Sequence, residues 1–324
     1  MRELIIGKND AGQRLDKFIT KTLDLPTSLL YKSIRLKKIK VNRKRAEIGM
    51  ILSEGDTIQC FLAEEFFARL DGIADERTVS LGRIQPKLDI VYEDENIILI
   101  NKRPGVSVHE DEHNALDTLI TRVQAYLYQS GEYDPTSEQS FSPALCNRID
   151  RNTGGIVIAA KNAEALRIMN EKIKEREIDK YYLAAIHGVP AEKEATLYGY
   201  LIKDEKTNQV RVYAKNPPRG AKEIKTRYKV IATSKDTSLV EVELLTGRTH
   251  QIRAHMAYIG HPLVGDGKYG INKADRERGY KYQALYSYKL RFAFKTDAGL
   301  LSYLNGREFS IPNNEIYFTK DFFR

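Results

Sequence analysis

The sequence is poor in cysteine and contains no long apolar run. Its 324 residues include only two cysteines, Cys60 and Cys146, too few for a disulfide framework. No apolar run approaches the length that crosses a bilayer, and the opening sequence MRELIIGKND lacks the apolar stretch of a signal peptide. We therefore expect a cytoplasmic protein with no membrane segment.

Length and charge indicate two domains and a polyanionic partner. A chain of 324 residues, 42% hydrophobic and 30% charged, has enough material for more than one packed core. The net charge is +8, and residues 1–60 hold thirteen Lys and Arg against seven Asp and Glu. Most of the excess positive charge therefore lies in the first fifth of the chain, which favours contact with nucleic acid there over a merely solvated basic face.

Residues 1–62 have the pattern of a small basic module. Apolar residues at helical spacing predict one helix from Arg14 onward and a second over 29–36, with an N-cap within 26–28. Short strands are predicted at 39–41 and before Cys60. The basic residues on and after the second helix are expected to bind phosphates: Arg35, Lys37, Lys38, Arg43 and Lys44.

This segment resembles the RNA-binding module of ribosomal protein S-four. The similarity lies in RLDKFI, LLYKSIRLKKIKVN and GDTI, which occur in that module's order over nearly the whole segment. Because the module accompanies several different enzymes, the resemblance implies an RNA substrate and no particular chemistry.

Residues 63–87 are interpreted as a linker, and residues 88–324 as the catalytic domain. Strands are predicted at 88–92, 97–101, 155–160, 181–186, 226–231, 239–245 and 284–292, and helices at 116–128, 163–175 and 249–259. Several consecutive strands fall within 180–245. The fold class is therefore expected to be α/β (α+β), with a mixed, largely antiparallel central sheet.

Two polar segments of the second domain could carry chemistry. Asp150 lies in NRIDRNTGG, where an aspartate before a Thr-Gly-Gly turn is often only a turn-capping residue. Arg253 lies in LTGRTHQIR and falls off the apolar stripe of its predicted helix. Its side chain must therefore either reach water or meet a buried partner.

These segments resemble the signature blocks of RluA-type pseudouridine synthases. The segment NKRPGVSVH at 101–109 is similar to that family's entry motif, KYYLA at 180–184 to its lysine-x-tyrosine strand, and HPLVGD at 261–266 to the extension of its arginine block. The resemblance covers about residues 88–292 and implies isomerisation of uridine to pseudouridine in a structured RNA. Large-subunit ribosomal RNA is the expected target, with transfer RNA next.

The resemblance also assigns roles to individual residues. Asp150 corresponds to the catalytic aspartate, Tyr182 to the tyrosine that stacks on the target base, and Arg253 to the arginine that pairs with the aspartate. Arg148 corresponds to the arginine that enters the RNA stack where the uridine has left. Arg248, in the same block as Arg253, is expected to contact RNA.

Three positions depart from the family pattern. Asn147 stands where the family usually has histidine, Gly154 where it has serine, and Tyr286 where it has another histidine. None is a residue that the chemistry needs, so the departures bear on the subgroup and the target site.

Neither a cofactor nor a metal is expected. Isomerisation adds no group and changes no oxidation state. His250, His255 and His261 are close in sequence, but their spacing does not place them on one helical face, and His255 is predicted to be a core residue. Two alternatives remain open, an RNA methyltransferase with the same N-terminal module and a non-catalytic RNA-binding protein. A monomer is expected.

Overall fold

A computed structural model describes residues 1–68, 70, 81–109, 117–204, 207 and 209–323. Within these ranges no helix is long and apolar enough to span a membrane. The chain divides into two compact units. One comprises residues 1–87, 120–144 and 160–166, and the other comprises 88–119, 145–159 and 167–324. The functional boundaries at 62 and 88 stay predictions, and part of the proposed linker lies outside the described residues.

The first unit contains a four-stranded sheet in the order β1-β4-β2-β3. Its strands are β1 (Arg2–Ile5), β2 (Ile39–Val41), β3 (Lys44–Arg45) and β4 (Thr57–Cys60). Helices α1 (Leu15–Thr22) and α2 (Thr27–Arg35) bury Phe18, Ile19 and Leu30 completely in its core. The second helix starts two residues earlier than predicted. Pro26 is its N-cap residue, within the predicted 26–28, and makes no side-chain capping bond.

A tight turn at Asn42 and Arg43 joins β2 to β3. Both residues have positive φ, 50° and 64°, as the two-residue turns that match the twist of a hairpin require. Asn42 supports this conformation, because its amide donates to Asp56 (2.7 Å) and its carbonyl accepts from the Thr57 amide (2.9 Å). The turn leaves Arg43 exposed at its tip.

The second unit is built on an eleven-stranded sheet whose main path runs β11-β10-β12-β13-β9-β14-β8-β6-β5. The strands towards one end of this path are β5 (Ile90–Glu93), β6 (Ile97–Lys102), β8 (Gly154–Ala160) and β14 (Leu285–Phe292). Those towards the other end are β9 (Ile178–His187), β10 (Glu194–Asp204), β11 (Gln209–Tyr213), β12 (Lys222–Ser234) and β13 (Thr237–Leu244). The short strands β7 (Ala144–Leu145) and β15 (Glu308–Ser310) pair with β8 and β14.

The direction of the strands confirms the predicted fold class. From β11 to β14 every neighbouring pair is antiparallel, whereas β14 and β8 are parallel. The sheet is therefore mixed and largely antiparallel. The strands β10 and β11 were not predicted, because they lie at one end of the sheet and alternate buried with exposed residues rather than forming apolar runs.

The described residues include four further α-helices, besides short 3-10 helices at Glu64–Phe67, Gly299–Leu304, Asn313–Glu315 and Thr319–Asp321. The α-helices are α3 (Leu119–Gln129), α4 (Ala163–Lys174), α5 (Gln251–Tyr258) and α6 (Lys273–Glu277). The first of them confirms the helix predicted at 116–128, although Leu116 lies outside the described residues. Helix α5 starts two residues later than predicted, because His250 has a left-handed backbone conformation with φ 52° and cannot continue an α-helix.

Candidate active site

The segment that contains Asp150 is held by buried hydrogen bonds on both sides. The Asn147 side-chain oxygen accepts the backbone N–H of Ile158 at 2.7 Å, which ties the start of the segment to β8. The Thr153 backbone N–H donates to the Asp150 carbonyl at 3.0 Å and closes a turn. The Thr153 hydroxyl is also bonded to Gln283 at 3.2 Å. Asp150 is thus presented at the start of a central strand, with its side chain 26% exposed.

Arg253 projects from α5 between two carboxylates. Its Nη1 donates to Asp150 Oδ2 at 2.8 Å. Its Nε and Nη2 donate to the two oxygens of Asp266, at 2.7 and 2.9 Å. The sequence left two possibilities for Arg253, access to water or a buried partner. The structure shows the second: the side chain is only 8% exposed and pairs with two carboxylates.

Asp150, Arg253 and Asp266 form a cluster in which the charges compensate one another. Burial disfavours the charge on Arg253, but the hydrogen bonds and charge of Asp266, with the charge of Asp150, outweigh it and raise the arginine's pKa. For Asp266, burial raises the pKa, but the bonds and charge of Arg253 outweigh this and lower it below the ordinary value. Asp266 is therefore a buried carboxylate that permanently partners the guanidinium.

Asp266 is fixed to the sheet by the residues that precede it. The Val264 N–H donates to the Ala185 carbonyl at 2.9 Å, and the Ala284 N–H donates to the Val264 carbonyl at 2.8 Å. Gly265 has φ 76°, and a Cβ there would lie 2.4 Å from the Tyr282 carbonyl oxygen. Only glycine fits this close contact with the backbone, so the backbone just before Asp266 has little conformational freedom.

Tyr182 lies on β9, between β13 and β14. It is 6% exposed, and burial, together with the charge of Asp150, raises the pKa of its hydroxyl to about 12. With Asp150 and Arg253 it lines a cavity of about 130 Å³ that also includes Arg148 and Arg248. The second unit therefore brings together the three predicted catalytic residues and two of the predicted RNA-binding arginines, and both of these arginines are exposed.

The loop before α5 is ordered by a buried glutamine. Gln251 Oε1 accepts from the Arg248 N–H at 3.1 Å and from the Thr246 hydroxyl at 2.9 Å. Its Nε2 donates to the Lys225 carbonyl and to the Thr226 hydroxyl, both at 3.0 Å. These four bonds fix the part of the cavity wall that Arg248 and Gln251 form.

A buried lysine lies beneath the Asp150 turn. Lys102 Nζ donates to the carbonyls of Val106 and Arg151 at 2.9 Å and to that of Arg103 at 3.3 Å. Burial lowers the pKa of Lys102 to about 7, although the charge of Asp150 opposes this shift. Its three bonds tie the 103–106 loop to the turn that carries Asp150.

The three clustered histidines have separate partners. Nδ1 of His255 is 3.0 Å from the Thr226 hydroxyl, Nδ1 of His261 is 2.9 Å from the His187 carbonyl oxygen, and Nδ1 of His250 is 2.9 Å from the Tyr269 hydroxyl. His255 is 1% exposed, which confirms its prediction as a core residue.

Two residues of the cluster were not identified from the sequence. His250 was considered only as a metal ligand, yet its Nε2 is 3.7 Å from Asp150 Oδ2. Asp266 was noted only as part of a motif. The sequence signal that could have identified Asp266 is an acidic residue in the segment after α5, the helix that carries Arg253.

The glycines after Asp150 begin a strand. Gly154 and Gly155 are the first residues of β8. A glycine loop that binds a methyl donor's nucleoside should instead open a helix, so this geometry disfavours the methyltransferase alternative.

Comparison with known proteins identifies the family of this chain. Residues 96–258 match the family of RNA pseudouridylate synthases. The chain is 31% identical to ribosomal large subunit pseudouridine synthase C of Vibrio vulnificus, over 89% of this chain and 87% of that protein. It is 32% identical to an uncharacterised RNA pseudouridine synthase of Mycoplasma genitalium, over 90% of this chain and 88% of that protein.

Solved structures share the fold. The human protein RNA pseudouridylate synthase domain containing 1 superposes with a TM-score of 0.55 at 24% identity, covering 70% of this chain and 84% of that one. The human protein RNA pseudouridylate synthase domain containing 4 superposes with a TM-score of 0.56 at 18% identity, covering 76% and 97%.

Proposed function

Because this chain belongs to the RNA pseudouridylate synthase family and is therefore an isomerase, we propose that it converts uridine to pseudouridine in large-subunit ribosomal RNA, with Asp150 as the catalytic carboxylate. The observation that carries the assignment of Asp150 is its ion pair with Arg253 in a small cavity that Tyr182 also lines. The ribosomal target rests on the resemblance to the Vibrio enzyme.

The geometry suits a carboxylate that must act on a ribose. Arg253 holds Oδ2 of Asp150, and no donor among the described residues is within hydrogen-bonding distance of Oδ1. That oxygen is therefore available to the sugar, either to attack the anomeric carbon or to remove a ribose proton. The reaction breaks the bond from the sugar to the uracil nitrogen and forms a bond to ring carbon five, from which one proton is lost.

The base must leave the RNA stack to reach Asp150. Flipping a nucleotide costs a few kcal/mol, which stacking on an aromatic ring and contacts to the backbone can offset. Tyr182 supplies such a ring inside the cavity. The exposed side chain of Arg148 is proposed to occupy the gap that the uridine leaves, and Arg248 to contact the RNA backbone.

The test is release of tritium from ring carbon five of uridine-labelled RNA, taken from cells that lack this protein. The change is Asp150→Asn, which keeps the shape of the side chain. The fold should persist, because Arg253 retains its two bonds to Asp266. We expect the wild type to release tritium and the variant to lose at least about a hundredfold in rate.

Asp236→Asn is the matched control, because its side chain is 70% exposed. It should behave as the wild type does. A loss of rate in Asp150→Asn much smaller than about a hundredfold would refute the assignment of Asp150. If neither wild type nor variant released tritium while both bound RNA, the non-catalytic alternative would be favoured. Labelled ribosomal and transfer RNA fractions, assayed separately, decide the target.

We further propose that residues 1–62 form an RNA-binding module similar to that of ribosomal protein S-four. Five exposed cations support it, and no acidic group of the described residues pairs with any of them: Arg35, Lys37, Lys38, Arg43 and Lys44. Arg35 ends α2, and Lys37 and Lys38 follow it. Arg43 is at the tip of the β2–β3 turn, and Lys44 begins β3. Affinity there should come from phosphate contacts, which are sensitive to salt.

Charge reversal tests the module. The triple variant with Glu at Arg35, Lys38 and Arg43 should bind RNA more weakly, with a log–log salt dependence shallower by about 2–3. A matched triple reversal at Arg219, Lys229 and Lys320 controls for net charge, because these exposed residues lie outside both proposed RNA-binding surfaces. Equal slopes for the two triple variants would contradict the proposal.

A further inference from the structure

His250 lies between Tyr269 and Asp150. Its Nδ1 is 2.9 Å from the Tyr269 hydroxyl, and its Nε2 is 3.7 Å from Asp150 Oδ2. The imidazole is 11% exposed, and its backbone φ of 52° is costly for a residue other than glycine. A strained backbone that places a titratable ring against a carboxylate suggests a role beyond packing.

The bonds of Tyr269 favour one of the two neutral forms of His250. The Tyr269 oxygen accepts the Val210 backbone N–H at 2.9 Å, and burial raises the pKa of this hydroxyl, so it remains a donor at neutral pH. Its single proton can then be donated to Nδ1 of His250. A neutral imidazole that accepts at Nδ1 carries its hydrogen on Nε2, which is the nitrogen that faces Asp150.

Burial favours the neutral form of His250, and four charged groups surround the ring. They are Asp150 from the turn before β8, Arg253 from α5, and Asp266 and Lys268 from the loop that follows. Burial lowers the pKa of His250 below its ordinary value, Arg253 and Lys268 lower it further, and the two carboxylates only partly oppose this. At neutral pH the ring is therefore an uncharged N–H donor.

We propose that His250 is a positioning residue for Asp150, whose Nε2–H closes to a hydrogen bond with Asp150 Oδ2 when RNA fills the cavity. The present separation of 3.7 Å is too long for that bond, but catalytic hydrogen bonds commonly tighten only when substrate binds. With Arg253 on the same oxygen, two donors would fix the rotation of the carboxylate and leave Oδ1 directed at the ribose. The inference rests on the proposed function of Asp150.

Three variants test the inference through the kinetics of tritium release. His250→Ala removes the donor, and kcat should fall about tenfold to a hundredfold with KM for RNA little changed. His250→Gln places an amide N–H near the position of Nε2 and should recover most of that loss. Tyr269→Phe keeps the ring against Arg253 but no longer selects the tautomer, and should also lower kcat.

Tyr258→Phe is the matched control, because this tyrosine lies on α5, the helix that follows His250, and is 52% exposed. It should leave kcat unchanged. The melting temperature of each variant checks folding. If the alanine variant did not fold, the glutamine variant and Tyr269→Phe would still decide the question, because each keeps a side chain of nearly the original size.

The pH profile separates positioning from a purely structural role. As the pH falls through the pKa of His250, the ring gains a proton on Nδ1 and can no longer accept from Tyr269. Nε2 keeps its hydrogen, but the ring loses the bond to Tyr269 that orients this N–H towards Asp150. The wild type should therefore lose kcat on the acidic side, and this limb should disappear in His250→Gln. A structural role would change stability without moving the limb.

Two results would overturn the inference while leaving the proposed function intact. One is a wild-type kcat in His250→Ala. The other is an equal loss in His250→Ala and His250→Gln, with the acidic limb unmoved. Failure of the wild type itself to release tritium would instead refute the proposed function, and the inference with it.

Discussion

Replacing Gly154 by serine should destabilise the protein unless Tyr286 is replaced as well. The two residues are paired in the parallel register of β8 and β14. A Cβ built at Gly154 would lie 2.3 Å from Cε2 and 2.7 Å from Cδ2 of Tyr286. The ring cannot easily move aside, because it is 4% exposed and its hydroxyl donates to Asn101 Oδ1 at 2.7 Å.

The expected cost follows from this contact. Forcing extra atoms into a packed site costs about 1–3 kcal/mol, and a fixed aromatic ring points to the upper half of that range. Tyr286→His alone should cost about 1–3 kcal/mol, because it leaves space beside β8 and removes the bond to Asn101. In the double variant the serine fills space that the smaller ring vacates, so we expect a favourable coupling of about 1–2 kcal/mol.

The assay is urea unfolding of the wild type, the two single variants and the double variant. Because the chain has 19 tyrosines and no tryptophan, tyrosine fluorescence and circular dichroism are suitable probes, and their transitions should coincide if the unit unfolds cooperatively. Gly82→Ser is the control, because no atom lies within 4 Å of its Cβ position and its φ is not positive. It should change stability by less than about 0.5 kcal/mol.

Two outcomes would refute the reasoning. The first is a cost for Gly154→Ser no larger than that of Gly82→Ser. The second is additivity of the two single variants within about 0.5 kcal/mol, which would mean that the residues do not compete for the same space.

Two further predictions concern the buried charges of the site. Asp266→Asn should lower the free energy of unfolding by about 3 kcal/mol and reduce kcat, because it leaves the buried guanidinium of Arg253 with one carboxylate. Urea unfolding measures the loss of stability. Equal destabilisation by Asp150→Asn would contradict the permanent role given to Asp266. Lys102 has its pKa lowered to about 7 in the fold, so the unfolded chain binds more protons between that pH and the ordinary lysine value. The stability of the wild type relative to Lys102→Met should therefore rise with pH above 7 by up to about 1.4 kcal/mol per pH unit, and a flat difference would exclude the shift.

Much of the second unit was predictable, because apolar runs and helical spacing are local features of the sequence. Apolar runs identified the buried strands β6, β8 and β9, and helical spacing identified α4 and α5. The position of Arg253 off the apolar stripe left water or a buried partner as its two possible environments, and the structure shows the buried partner. Its ion pair with Asp150 was expected from family resemblance, and the structure contains it.

What escaped prediction depends on pairing between distant segments. Gly154 and Tyr286 each departed from the family pattern, and nothing in the sequence connected them. The parallel pairing of β8 and β14 places the Tyr286 ring where a side chain at Gly154 would lie. His250 could not be assigned either, because its contact with Asp150 requires a left-handed backbone at the start of α5. No periodicity encodes that conformation.

Asp266 and Asp150 differ in exposure, and this difference explains why Arg253 pairs with both carboxylates. The side chain of Asp266 is fully buried and binds Arg253 through two oxygens, whereas that of Asp150 is 26% exposed and is bound through one. If Asp150 were the only partner, any change in its charge or position during turnover would leave a buried guanidinium uncompensated, at a cost of several kcal/mol. Asp266 removes that penalty, because it keeps Arg253 paired throughout. In the proposed reaction Asp150 then acts on the sugar while its positively charged neighbour stays in place.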